Sequence, residues 1–279
     1  MAKPLSPLRY PGGKFKIYSK VKNLIETNGL REMTYVEPFA GGFGIGLSLL
    51  AENVVKTAVL NDIDTHIYNF WFAVLNHTDE FVRLVTDVPV TMEERERQKA
   101  IYMSEDVDPL SDGFATFFLN RVNFSGVITG GPIGGYSQNG AYKLDCRFNK
   151  GELIKRIEQV ASLRERIELF NLDAGELICR QLRESIHRCF FNIDPPYVKK
   201  GHRLYTSYFE EEDHRNLERK IAEYLGNTTW IVTYDDCDLI RDIYSDYHIV
   251  EYDILHNAGG SVRGKEIVIT NIPKNLFSW

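Results

Sequence analysis

Seven strand-like runs, most of them separated by helix-like segments, constrain the fold of this 279-residue chain more than any other feature. The runs are apolar, β-branched or aromatic, and they cover residues 34–39, 57–61, 167–172, 189–193, 229–234, 247–254 and 266–272. Alternation of strands with helices favours a doubly wound, mostly parallel sheet. Only the short segment 256–265 joins the last two runs, too little for a crossover helix, so these two strands are predicted to pair antiparallel.

The strand pattern stops between residues 70 and 166. Helix-like segments at 63–76, 91–104, 113–124 and 150–164 surround a stretch at 125–142 that is rich in Gly, Ser, Tyr and Asn. We therefore expect a mostly helical insertion over 70–166, with a hairpin or long loop, between two parts of one α/β domain, 1–69 and 167–279.

A chemical signal lies at the end of the fourth run, where Phe190, Phe191, Asn192 and Ile193 lead into Asp194, Pro195, Pro196 and Tyr197. Proline cannot donate to a sheet ladder and disfavours helix in the residue before it, so the strand has to end here. A carboxylate, free carbonyls and an aromatic ring then lie together at a strand's carboxyl end, which in open α/β sheets borders the ligand crevice. Such a set suits an amino group on a flat ring. The alternative is a plain turn after a buried strand.

This segment resembles the Asp-Pro-Pro-Tyr motif of N6-adenine DNA methyltransferases of the Dam type (D12 class, alpha group). Further segments similar to that family's motifs follow the family's order along the chain: 8–14 (LRYPGGK), 37–42 (EPFAGG), 61–64 (NDID) and 259–265 (GGSVRGK). The resemblance implies a Rossmann-like, seven-stranded S-adenosylmethionine-dependent methyltransferase sheet, with the helical insertion as the target-recognition domain. It also implies direct in-line methyl transfer from S-adenosylmethionine to the exocyclic N6 of a flipped adenine in double-stranded DNA.

The resemblance assigns roles to the catalytic motif. Asp194 and the Pro195 carbonyl would accept hydrogen bonds from the adenine amino group, Tyr197 would stack on the base, and Pro196 completes the motif. No metal is expected, because the sulfonium methyl group already has a good leaving group.

Cofactor contacts are expected mainly in the first part of the chain. Glu37 and Phe39 end a strand before a glycine turn that includes Gly41, and Leu47 stands where a dinucleotide fingerprint would need its third glycine. Asp62, after the second strand, is expected to accept from ribose hydroxyls. The remaining candidates are Asp194, Asp173, which either meets the cofactor's adenine or caps a helix, and, by resemblance, Tyr10 and Lys14.

Candidate DNA contacts fall into three groups. In the insertion, Arg121 offers a guanidinium fork to phosphate or guanine, and the other candidates there are Asn123, Ser125, Lys143, Arg147 and Asn149. After the catalytic motif, Lys199 and Arg203 are placed for phosphates and Tyr205 could cover the extruded base. In the predicted hairpin loop, Asn257, Arg263 and Lys265 could grip the DNA backbone. Solvated loops and simple packing are the alternatives, and the recognised DNA sequence is not predicted.

Bulk properties exclude several classes. No apolar run approaches the roughly 18 residues needed to span a bilayer, and the amino terminus lacks an apolar signal segment, so we expect a cytoplasmic protein without a membrane partner. The four cysteines have no paired spacing, which argues against a zinc site or a disulfide framework. A net charge of −6 argues mildly against nucleic acid, but the charged residues of 113–150 are mostly basic, while those of 92–108 are mostly acidic.

Other functions stay open. RNA adenine or a protein glutamine could be the methyl acceptor. The chain could also be a non-catalytic, sequence-specific DNA-binding relative. An NAD-dependent oxidoreductase is a further alternative, which the glycine spacing disfavours. A cognate restriction endonuclease is a further functional partner that the resemblance allows.

Overall fold

The computed structural model describes residues 4–10, 13–181, 188–198, 209–256 and 262–279 of the chain. These residues form a seven-stranded sheet with the strand order β3-β2-β1-β4-β5-β7-β6. The strands are β1 Thr34–Glu37, β2 Thr57–Asn61, β3 Ile167–Phe170, β4 Cys189–Ile193, β5 Thr229–Asp235, β6 His248–His256 and β7 Val262–Thr270. Strands β1 to β5 pair in parallel, whereas β7 is antiparallel to both of its neighbours. The predicted Rossmann-like sheet with a terminal hairpin is confirmed.

The terminal hairpin is longer than the sequence predicted. Strands β6 and β7 pair over nine residue positions, because no proline interrupts the ladder and each added pair contributes backbone hydrogen bonds. Arg263 and Lys265 therefore lie in β7, and their prediction as hairpin-loop residues is wrong; Lys265 pairs with Asp253. Strand β1, in contrast, ends at Glu37, because Pro38 cannot donate to the ladder.

The described residues form ten α-helical segments, of which the first precedes β1: α1 Tyr18–Thr27, α2 Gly44–Ala51, α3 Thr65–Asn76, α4 Thr78–Asp87, α5 Met92–Tyr102, α6 Pro109–Val122, α7 Lys150–Ala161, α8 Ala174–Glu176, α9 Glu211–Tyr224 and α10 Asp238–Ile243. Helix α4 was not predicted, because only His77 separates it from α3. Helix α6 begins earlier than predicted: the Asp108 side chain accepts a hydrogen bond from the Ser111 N–H at 3.0 Å, and Pro109 favours the first turn. Across the described ranges, no helix combines the length and apolar character required to cross a bilayer.

The apolar core follows the alternation of side chains along the strands. Tyr35 and Phe190 belong to the cluster on one face of the sheet, together with side chains of α3, α4, α6 and α7. Val36 and Phe191 belong to the cluster on the opposite face, with side chains of α9. The helices of segment 70–166 thus share a core with the sheet, and α3 crosses the predicted boundary at residue 70. The role of 70–166 in target recognition stays a prediction.

Strands β1 and β4 are adjacent in the sheet although the inserted helices and two further strands lie between them in sequence. From β1 the chain continues outward to β2 and β3, and from β4 it continues in the other direction to β5. Such a reversal leaves an open crevice above the carboxyl ends of the two central strands. The catalytic motif follows β4 directly and therefore lies at this crevice.

Candidate active site

A cavity of about 390 Å³ opens at the carboxyl ends of β1, β2 and β4. This volume lies within the usual range of small-molecule sites, about 300–1,000 Å³. Its wall brings together nine of the residues that the sequence singled out: Tyr10, Lys14, Glu37, Phe39, Asp62, Arg121, Ser125, Asp194 and Pro196. The wall also contains Arg9, Arg156 and Asn192, which were not predicted as site residues. In the part of the chain that the structure describes, no three His, Cys, Asp or Glu side chains are grouped to hold a metal ion.

The glycine turn after β1 packs tightly against Tyr10. Gly41 has a φ of +47°, and a Cβ at this position would lie 2.5 Å from the Tyr10 ring, so the close approach requires glycine. The Gly41 N–H donates to Asp62 Oδ2 at 2.8 Å, and the Asp64 N–H donates to Asp62 Oδ1 at 3.0 Å. Burial raises the pKa of Asp62 to about 7 despite these two donors. Gly41 itself does not line the cavity and acts through the positions of Tyr10 and Asp62.

A buried hydrogen-bond chain joins the ends of β1 and β4. The Tyr35 hydroxyl donates to Glu37 Oε1 at 2.7 Å and accepts from Asn192 Nδ2 at 2.7 Å, and the Gly46 N–H also donates to Glu37 Oε1, at 3.3 Å. Burial raises the pKa of Glu37 to about 8, opposed by its hydrogen bonds with Tyr35, Gly46 and Asn192. Asn192 Oδ1 is buried and has no hydrogen-bond partner among the described residues. One sequence signal could have identified Asn192: it is a polar residue inside an otherwise apolar buried strand.

Asp194 faces the same cavity and is held by two neighbours. Its Oδ1 accepts a hydrogen bond from the Thr233 hydroxyl at 2.7 Å and lies 3.2 Å from Lys14 Nζ. Lys14 Nζ also lies 3.7 Å from Glu266 Oε2, and the Lys14 and Glu266 side chains are only 7% and 2% exposed. Burial raises the pKa of Asp194, and the Lys14 ammonium opposes this rise. Thr233 and Glu266 are site neighbours that the sequence did not indicate, because both lie inside ordinary strands.

Tyr197 is buried behind this ion pair and does not line the cavity. The Lys14 ammonium lies 4.2 Å from the centre of the Tyr197 ring, a cation–π contact, and the Tyr234 ring is an aromatic neighbour at 6.2 Å. The expected stacking of Tyr197 on a base stays a prediction, as does the expected contact of Lys14 with the cofactor. In this structure, Lys14 covers the ring instead.

Asp173 lies outside the cavity wall. Its carboxylate accepts hydrogen bonds from the Gly175 and Glu176 N–H groups at 3.0 and 3.1 Å, which caps α8, and it lies 3.6 Å from Lys220 Nζ. These contacts match the helix-cap alternative for Asp173, while its contact with the cofactor's adenine stays a prediction.

Four arginines lie close together, and we call them the arginine rim: Arg9, Arg121 and Arg156 line the cavity, and Arg147 is a charged neighbour of Arg121. Arg121 Nε donates to the Arg147 carbonyl at 2.8 Å, Arg9 donates to the Asn123 carbonyl at 3.3 Å, and Arg156 donates to the Ser6 carbonyl at 3.3 Å. Burial and then the neighbouring arginines lower the pKa of Arg121 to about 9. Among the described residues, no carboxylate pairs with the arginine rim. The cluster therefore offers its positive charge to an anion.

Several predicted DNA contacts are placed differently. Asn123 is fully buried, accepts from Arg95 Nε at 2.8 Å and donates to the Ile128 carbonyl at 2.6 Å, so in this structure it stabilises the fold. Asn149 caps α7. Lys143 Nζ donates to the Gln138 carbonyl.

On β7, the exposed Lys265 Nζ lies 3.4 Å from Glu251 Oε2. Lys199, Arg203, Tyr205 and Asn257 lie outside the described residues. Contacts of these residues with DNA stay predictions.

Comparison with known proteins identifies the family. Residues 10–257 match the model of the D12 class N6 adenine-specific DNA methyltransferases. The Type II methyltransferase M1.LlaDCHI of Lactococcus lactis subsp. cremoris is 24% identical, in a match that covers 94% of this chain and 94% of that protein. The Type II methyltransferase M.MjaIII of Methanocaldococcus jannaschii is 22% identical, with coverages of 87% and 88%.

One similar solved structure is the methyltransferase domain of bacterial CtHen1. The match covers 91% of this chain and 98% of that domain, with a TM-score of 0.38 and 9% identity, a likeness too distant to bear on activity. The family model, in contrast, extends from Tyr10 at the cavity wall, through the catalytic motif, to residue 257. The resemblance noted in the sequence is thereby confirmed, and the chain belongs to the D12 class N6 adenine-specific DNA methyltransferase family.

Proposed function

We propose that this chain transfers a methyl group from S-adenosylmethionine to the exocyclic N6 of an adenine flipped out of double-stranded DNA, by direct in-line transfer. The observation that carries the proposal is the position of Asp194, whose carboxylate opens onto the same cavity as Glu37 and Asp62. One cavity thus provides acceptors for a cofactor and for an amino group. Family membership supports adenine as the methyl acceptor.

The cavity wall fits the proposed cofactor. When bound, S-adenosylmethionine supplies a methyl group on a positively charged sulfur, which needs no metal to become reactive. Asp62 and Glu37 offer carboxyl oxygens as acceptors to a ligand that carries hydroxyl and ammonium donors. Asn192 Oδ1 adds an acceptor that lacks a partner among the described residues, and leaving such an atom unpaired costs about 1–3 kcal/mol. A donor-rich ligand would offset this cost.

Asp194 is arranged to receive the adenine amino group. Thr233 and Lys14 both contact Oδ1, which leaves Oδ2 and the neighbouring Pro195 carbonyl to accept from the two N–H bonds. The amino nitrogen is a poor nucleophile because its lone pair is delocalised into the ring. Two fixed acceptors favour a tetrahedral nitrogen whose lone pair is free to attack. Most of the rate acceleration is then expected from preorganised acceptors and orientation.

The arginine rim suits the backbone of DNA. Phosphate contacts supply most of the sequence-independent affinity for nucleic acid, and the rim presents guanidinium groups without carboxylate partners among the described residues. A paired base cannot reach the cavity, so the target nucleotide has to be extruded. Because the relatives are Type II methyltransferases, we also propose that the chain acts alongside a cognate restriction endonuclease.

The proposal is tested by offering radiolabelled S-adenosylmethionine with duplex DNA, structured RNA and protein acceptors to the purified chain. We expect label only in duplex DNA, and sequencing of that DNA should locate N6-methyladenine at one short motif. Transfer to RNA or to glutamine alone would refute DNA as the substrate. Binding of cofactor and duplex without any transfer would instead identify a non-catalytic DNA-binding protein.

A further inference from the structure

Glu266 is a buried carboxylate near the catalytic motif to which the sequence assigned no role. The ladder places it on β7 between Asp235 of β5 and Tyr252 of β6, and its side chain is 2% exposed. The Tyr252 hydroxyl donates to Glu266 Oε2 at 2.8 Å, and the same oxygen lies 3.7 Å from Lys14 Nζ. Lys14 is thus shared between Glu266 and Asp194, whose Oδ1 lies 3.2 Å away.

The observed position of Lys14 conflicts with binding of a target base. Its ammonium lies 4.2 Å from the centre of the Tyr197 ring, the surface on which a base would stack. It also neutralises the Asp194 carboxylate, which weakens this group as an acceptor for an uncharged amine. A base can therefore stack on Tyr197 only after Lys14 has moved off the ring.

The cation must nevertheless stay close to Asp194. Burial raises the pKa of Asp194 and Lys14 opposes this rise, so complete departure of Lys14 would favour the protonated carboxyl, which accepts hydrogen bonds poorly. Among the described residues, Glu266 is the other carboxylate within 4 Å of Lys14 Nζ. Glu266 therefore offers the Lys14 ammonium a second position, on β7, next to the Lys14–Asp194 ion pair.

We propose that Glu266 is a positioning residue, which holds the Lys14 ammonium near Asp194 but off the Tyr197 ring when the target base contacts Asp194 and Tyr197. This inference rests on the proposed function, because it assumes that Asp194 receives an amino group and Tyr197 a base. Tyr252 steers the Glu266 carboxylate toward Lys14 through its hydrogen bond.

Glu266→Gln is the decisive variant, since it keeps the size of the side chain and an acceptor for Tyr252 but removes the charge. We expect Lys14 to remain on Asp194, so that KM for duplex DNA rises roughly ten- to hundredfold, as for loss of a hydrogen bond to a charged group. The fluorescence of 2-aminopurine at the target position, which reports the flipped base, should fall in parallel. Affinity for S-adenosylhomocysteine should stay within about threefold of wild type.

Glu251→Gln is the matched control, because Glu251 is exposed on the neighbouring strand β6, pairs with Arg241 and Lys265, and lies away from the cavity wall. It should change neither base flipping nor KM. If Glu266→Gln does not fold, Tyr252→Phe tests the same claim, and a smaller loss of flipping in the same direction is expected.

Two results would overturn the inference. One is a wild-type KM and flipping signal in Glu266→Gln. The other is a loss of S-adenosylhomocysteine binding in step with flipping, which would make Glu266 a structural residue. If the wild-type protein itself neither binds S-adenosylhomocysteine nor flips a base, the proposed function fails instead, so the two failures are distinguishable.

Discussion

Two parts of the cavity lining present different groups, carboxyls in one and guanidinium groups in the other. The first part, which we call the acidic wall, contains Glu37, Asp62 and Asp194, and burial raises the pKa of each carboxyl. The second part is the arginine rim, in which Arg9, Arg121 and Arg156 donate to backbone carbonyls. The acidic wall suits ligands with N–H and O–H donors, while the rim suits phosphates. The net charge of −6 therefore says little about partners, because the local distribution decides which groups approach.

The largest effect is expected when the Asp194 carboxylate is removed from the acidic wall. Asp194→Ala should lower methyl transfer at least hundredfold, as observed when one preorganised group is removed from other active sites. S-adenosylhomocysteine binding and the melting temperature should stay close to wild type, which calorimetry and thermal unfolding would measure. Normal turnover in this variant would show that the acidic wall does not receive the amino group.

The pH dependence of stability tests the burial of Glu37 in the acidic wall. Burial raises its folded pKa to about 8 from an ordinary value near 4.5, so the folded protein binds the extra proton between these values, and the free energy of unfolding falls as the pH rises through this window. Chemical denaturation at pH 5 and pH 8 should show this loss. We expect Glu37→Gln to remove roughly 1–3 kcal/mol of the difference. Asp62, whose pKa is raised to about 7, should contribute to the pH dependence of stability that remains in this variant. An unchanged slope in Glu37→Gln would contradict the assignment.

The arginine rim is tested at Arg147, whose side chain is exposed and whose carbonyl, rather than guanidinium, supports Arg121. Arg147→Gln should weaken duplex DNA binding roughly three- to tenfold at low salt and reduce the salt-dependence slope by about one. Arg83→Gln is the control, because Arg83 is exposed on α4 and pairs with Glu80. Equal salt slopes for all three proteins would rule out a phosphate contact at Arg147.

The smallest expected effect tests whether Asp173 lies outside the cofactor site. Asp173 caps α8 outside the cavity wall, so Asp173→Ala should cost about 1 kcal/mol of stability. S-adenosylhomocysteine affinity, measured by calorimetry, should change less than about twofold. A much larger loss of affinity would show that Asp173 contributes to cofactor binding.

The parts of the fold that the sequence predicted are those with a strong local pattern. Strands β2 and β4 match their predicted bounds, because apolar runs buried on both faces are bounded by clear turn residues. The extension of β6 and β7 was missed, because backbone pairing across the ladder stabilises polar residues such as Arg263 and Lys265 in a strand.

The candidate site was predictable where motifs end a strand, as at Glu37, Asp62 and Asp194. It was not predictable where the contribution depends on distant chain segments. Glu266 and Thr233 approach Lys14 and Asp194 only through the strand order of the sheet. The burial of Asn123 was equally unpredictable from local sequence: its amide lies in a recognition-like segment but is fully buried, and it bonds to Arg95 and to a backbone carbonyl.

The place of β7 between β5 and β6 has a consequence for biosynthesis. Strand β6 leaves the ribosome before β7 and has no neighbour in the sheet until β7 pairs with it. Lys14 precedes β1, whereas Glu266 lies in β7, so the two residues meet only after β7 has been synthesised. Contacts between such distant segments form slowly. A nascent chain that lacks β7 therefore forms neither the β6–β7 ladder nor the contact between Lys14 and Glu266.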